Sequence, residues 1–84
     1  LSAKVDRGQG YAEGIHPTAV IDPTAQIGAH ATIGALCVIG ANVMIGDNAV
    51  IGSHCSIGTG CVIGHNAYLR EGVRIGADVV LYYL

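Results

Sequence analysis

Among the side chains of this 84-residue chain suited to chemistry are four histidines (His16, His30, His54, His65) and three cysteines (Cys37, Cys55, Cys61). A neutral imidazole moves a proton near neutral pH and serves as a general base. Three imidazoles brought together hold a zinc ion and leave a coordination position open. A cysteine with nothing to activate it is a small buried thiol. Which use applies depends on where the chain puts these groups, and that is set by a repeat.

An Ile-Gly pair returns every six residues from Ile27 to Ile63. Extended both ways, the frame holds Ile15, Ile21, Ile27, Ile33, Ile39, Ile45, Ile51, Ile57, Ile63, Leu69, Ile75 and Leu81 without an insertion. Two residues before each frame position from Ile21 onward lies a second, small apolar one, such as Ala31, Cys37, Val43, Cys55 or Cys61. The residue between them is variable. In–out–in spacing is the period of a β-strand. Each hexapeptide is thus a short strand such as Ala31-Thr32-Ile33-Gly34, followed by a two-residue turn.

The second turn residue is mostly Asn, Gly, Asp or His, the types that tolerate positive φ. His30 and His54 fall in that slot and need no function to explain them. Leu36 stands there as an exception. Pro17-Thr18 and Pro23-Thr24 differ again. Proline suits the first central turn position, but threonine is a poor left-handed residue, so those two corners call for another turn type.

Strands this short bury a core only by stacking, which predicts an all-β parallel solenoid with coils about 4.8 Å apart. The pattern resembles the hexapeptide-repeat transferases. That resemblance implies a left-handed parallel β-helix with three hexapeptides per coil, here about four coils. The stretch GIHPTAVIDPTAQIG, residues 14–28, is similar to the start of the β-helix in the UDP-3-O-(3-hydroxyacyl)glucosamine N-acyltransferases of lipid A biosynthesis. Residues 1–14 are similar to the helix tail and glycine-rich linker before that helix, and residues 15–84 to the helix itself. Residues 75–83, IGADVVLYY, are similar to a segment ending Ile-Tyr-His, with Tyr83 departing from the histidine. Related O-acyltransferases open with a similar IHPTA.

The resemblance implies an acyltransferase that moves a 3-hydroxyacyl group from acyl carrier protein to the amine of a UDP-3-O-acylglucosamine. Acyl carrier protein is then the thioester donor, the enzyme is cytoplasmic, and no further cofactor is expected. It also implies a homotrimer with active sites between subunits. An 18-residue coil gives three outward columns. The one running Gln26, Met44, Val62, Val80 is apolar over three coils, so Met44, Val62 and Val80 are the expected trimer contact. The family's base is a histidine in a later segment like Gln-Ile-Ala-His-Asn-Val, which has no ordered counterpart here. His65 in Ile63-Gly64-His65-Asn66-Ala67 occupies the same turn position and is the one candidate base. Its place before the LYYL segment favours a solvated turn residue. The chain is read as part of something longer, since no cap closes the solenoid.

Other chemistries fit less well. Charged residues make up 12% of the chain and net charge is −2, with no basic run for nucleic acid. Polar residues recur too often for a membrane span. No two histidines are 18 apart, and His30 and His54 lie on different corners, so no zinc site is expected within one chain. Ser56 points outward with no histidine at a matching position, which leaves no nucleophile–base pair. Three inward cysteines without framework spacing fit a reducing compartment. Two alternatives stay open: a structural or assembly solenoid without catalysis, and another hexapeptide acyltransferase, O-acyl or acetyl.

Overall fold

The computed structural model describes residues 14–82. The helix tail and linker expected over 1–14 therefore lie outside the described residues, apart from Gly14. Eleven two-residue strands follow one another: β1 (Val20–Ile21), β2 (Gln26–Ile27), β3 (Thr32–Ile33), β4 (Val38–Ile39), β5 (Met44–Ile45), β6 (Val50–Ile51), β7 (Ser56–Ile57), β8 (Val62–Ile63), β9 (Tyr68–Leu69), β10 (Arg74–Ile75) and β11 (Val80–Leu81). The strands are narrower than the four-residue segments expected: the flanking residues, such as Ala31 and Gly34, lie between strand and turn and belong to neither.

Pairing is parallel and in register at a spacing of 18. Val20 faces Val38, Met44 faces Val62 and Val50 faces Tyr68. Three sheets result, ordered β1-β4-β7-β10, β2-β5-β8-β11 and β3-β6-β9, and Ile15 bridges to Ile33 below the third. The molecule is a three-faced solenoid. Its inner columns form one continuous core, in which Ile33, Ile39, Ile51, Ile57 and Ile63 are almost fully enclosed. Ile21, Ile27, Leu69, Ile75 and Leu81, on the outer coils, are half-buried and pack against that core.

Cys37, Cys55 and Cys61 are free and buried. Each thiol donates to a backbone carbonyl 15 residues on, at the entry to a corner of the next coil: Gly52, Arg70 and Gly76 respectively. Burial pushes the Cys37 thiol up from its ordinary value. These are packing groups, as the sequence suggested.

The corners follow the turn column. His30, Leu36, Asn42, Asn48, His54, Asn66 and Asp78 all have φ near +60°, and Gly60 and Gly72 are also positive. Leu36 obeys the column despite its side chain. Thr18 and Thr24 are not among the positive-φ residues, so their corners do use another turn. There the threonine hydroxyl accepts the N–H of the residue one coil on: Leu36 at 2.9 Å and Asn42 at 2.8 Å.

Candidate functional site

The face carrying β2, β5, β8 and β11 has a concavity of about 310 Å³ at one edge. Its floor comes from the outward column: Gln26, Met44 and Val62. Alternation puts these side chains outside while Ile27, Ile45 and Ile63 hold the strands from within. Met44 is 50% exposed, as is Val80. Val62, between them in the sheet, is half-buried. So the column expected to be a contact surface is also the floor of a groove.

The edge is formed by Gly28, Gly46 and Gly64, each closing a strand. Their smallness is required. A Cβ on Gly46 would stand 2.5 Å from the backbone nitrogen of His65. With no side chains there, the groove is open along the corner. The glycine N–H groups are not free to meet a ligand. Gly28, Gly46 and Gly64 each donate at 2.7 Å to the frame residue one coil on, namely Ile45, Ile63 and Leu81. Tyr82 takes the fourth place in this glycine column, 18 residues after Gly64, and also lines the groove.

The corner beside the glycines supplies the polar rim. Asp47 and His65 are 18 apart and occupy the same turn position in successive coils. The Ala29 N–H donates to Asp47 Oδ1 at 2.8 Å, and the Asp47 N–H donates to His65 Nδ1 at 2.7 Å. Asp47 Oδ2 lies 4.0 Å from His65 Nδ1. Both side chains are largely exposed, at 52% and 70%.

Of the sequence candidates, only His65 lies at this groove. It stands in a turn and is not idle there, because its ring caps the coil below. Its Nδ1 lone pair is engaged by a backbone N–H, so neutral His65 carries its proton on Nε2. A general base needs a free lone pair, and in this arrangement the ring has none to offer. His30 and His54 occupy left-handed turn positions on different corners. His16 turns its Nδ1 to the Thr18 N–H at 3.1 Å and the Thr18 hydroxyl at 2.9 Å, a local cap. Among the described residues, no three His, Cys, Asp or Glu side chains are placed to hold a metal ion. No helix among them is long and apolar enough to cross a membrane. Asp47 and Tyr82 are site residues that the sequence reading passed over. Counting 18 back from His65 and 18 on from Gly64 finds both.

Comparison with known proteins agrees with this architecture. Residues 36–71 match the bacterial transferase hexapeptide family (six repeats). The fold is the left-handed parallel β-helix of hexapeptide repeats. Among solved structures, a perosamine N-acetyltransferase mutant from Caulobacter crescentus, in complex with CoA and GDP-perosamine, is similar with a TM-score of 0.53 and 26% identity. The match covers 90% of this chain and 46% of that one. A UDP-N-acetylglucosamine acyltransferase from Campylobacter jejuni matches at 25% identity over 81% of this chain and 44% of its own, with a TM-score of only 0.33. The chain spans less than half the length of these solved proteins. No curated protein matches it.

Proposed function

We propose that the protein carrying these coils transfers an acyl group from a carrier thioester to the amine of a nucleotide-linked amino sugar. The observation that carries this reading is the groove. It is an open, apolar trough on a face of a hexapeptide solenoid, with a polar rim at Asp47 and His65. The trough suits an aliphatic chain, and the rim suits the polar group at its end. In the reaction, the sugar nitrogen attacks the thioester carbonyl, the thiol leaves, and a base takes the ammonium proton. The resemblance implies a base from a later segment, and the engagement of His65 Nδ1 is in keeping with that.

In its finer form the donor is 3-hydroxyacyl acyl carrier protein and the acceptor is UDP-3-O-acylglucosamine. The opening motif of residues 14–28 supports this. The protein is then a cytoplasmic trimer with Met44, Val62 and Val80 at the subunit contact. The similarity to a perosamine N-acetyltransferase complexed with CoA favours a second reading, acetyl transfer from acetyl-CoA to a different nucleotide amino sugar. One assay separates them. The full-length protein is supplied with each thioester and sugar nucleotide in turn, and release of free thiol is followed. Turnover with the hydroxyacyl carrier supports the first reading, and turnover with acetyl-CoA alone supports the second. Release from neither leaves a structural solenoid.

A further inference from the structure

We infer that His65 serves this groove as a hydrogen-bond donor, and that the groove takes an uncharged carbonyl group carrying an aliphatic chain, such as an acyl thioester. The inference rests on reading the groove as an acyl site, and it assigns His65 a role opposite to that of a base.

Three observations carry it. The first is the 2.7 Å bond from the Asp47 N–H to His65 Nδ1. A backbone amide only donates, so Nδ1 must accept, and Nε2 is the ring nitrogen left to meet a ligand, with its proton on. The Ala29–Asp47–His65 ladder repeats this capping on successive coils, which fixes the imidazole by backbone. The second is charge. The Asp47 carboxylate stands on the same rim, 4.0 Å from the ring, and no lysine or arginine lines the groove. A phosphate or carboxylate would meet a like charge there, and a neutral carbonyl would not. The third is shape. Met44, Val62 and Tyr82 lie on three successive turns, an apolar run of roughly 10 Å at ~4.8 Å per coil, with the Gln26 amide beyond it. That length of floor matches an extended chain better than a compact head group.

The donor role is tested by binding, with the full-length protein and two probes that differ only in the carbonyl. One is S-octanoyl-N-acetylcysteamine and the other is its S-octyl thioether. Calorimetry is run on the wild type, His65→Leu and His65→Gln. The wild type is expected to prefer the thioester by about tenfold, the worth of one hydrogen bond. The preference is expected to vanish in His65→Leu. It is expected to persist in His65→Gln, whose amide supplies both a donor and an acceptor for the Asp47 N–H. Equal binding of both probes by the wild type, no binding of either, or an undiminished preference in His65→Leu would overturn the assignment. The thiol-release assay is independent of these affinities. Loss of turnover with the probe preference intact removes the proposed reaction and leaves the donor assignment standing.

Discussion

The hydroxyl of Thr24 lies 2.8 Å from the backbone nitrogen of Asn42, one coil on, and accepts its N–H. At later corners a carbonyl does this work. His54 N–H goes to Ala35 O at 2.8 Å, and Gly60 N–H goes to Ala41 O at 2.9 Å. There the second turn residue has positive φ and the carbonyl before it points along the solenoid axis. Thr24 is not among the positive-φ residues, and its side chain stands in for the missing acceptor. Thr24→Val keeps the shape and removes the oxygen. It is expected to lower stability by about 0.5–1 kcal/mol, since water reaches this exposed corner and recovers part of the loss. Thr24→Ser should lose less. Urea midpoints of the two variants provide the check, and a Thr24→Val midpoint equal to that of the wild type would refute the capping role.

Asp22 extends the same corner into pH dependence. The Thr24 hydroxyl donates to Asp22 Oδ1 at 2.7 Å and the Thr24 N–H to the same oxygen at 2.9 Å. Both bonds favour the ionised carboxylate, the hydroxyl more, and hold its pKa below the ordinary 3.8. A folded-state value below the unfolded one means the contribution is present above 3.8 and fades as pH falls through the lower, folded value. The carboxylate still reaches solvent, so the effect is small and salt-sensitive. The stability difference between wild type and Asp22→Asn should be constant from neutral pH down to the carboxylate range, then shrink with further acidification. A difference that grows on acidification would contradict the sign.

Much of this was legible in the sequence, for a definite reason. The Ile27–Ile63 frame tolerates no insertion, because a one-residue slip would turn every inward side chain outward. Period six therefore exposed strands, turns and core together. The 18-residue coil length came from the family resemblance, and the pairing of Val20 with Val38 agrees with it. What the frame does not encode is which turn side chains reach the next coil. His16 and Asp22 stand two residues before Thr18 and Thr24, and both act as acceptors for that threonine. The shared His/Asp-Pro-Thr pattern was visible, but its hydrogen bonds were not. The Asp47–His65 contact was missed likewise, since it joins residues 18 apart through one backbone N–H.

Leu36 is the residue that fits its position worst. Its φ is 59°, and its side chain is 54% exposed. A left-handed conformation costs an ordinary L-residue roughly 1–2 kcal/mol, and asparagine bears it more easily. Asn42 and Asn48 hold the same position at neighbouring corners with φ of 61°. Little buried area is lost by removing this side chain. Leu36→Asn is thus expected to stabilise the protein by about 1 kcal/mol, seen as a raised thermal midpoint. A lowered midpoint would mean that the Leu36 side chain is covered in the assembled protein, and light scattering of the variant would show whether assembly weakens with it.

Assembly is the last expectation, and Met44 tests it. Met44 and Val80 are each half exposed on the face where Val62 is partly sheltered, so an apolar strip runs along three coils. Apolar surface arranged in this way marks a contact or a ligand. A trimer would use both, with the strip meeting a neighbouring subunit and the groove left at the seam. Met44→Glu places a charge on this outward position without touching the core, so the solenoid itself should keep its β-sheet circular dichroism. In a trimer it would bury a charge without a partner at each seam. On the proposed trimer, the full-length wild type sediments as a trimer and the Met44→Glu variant as a monomer at the same concentration. If Met44→Glu remains a trimer of unchanged stability, the strip does not face a subunit, and the groove beside His65 is open on a single chain.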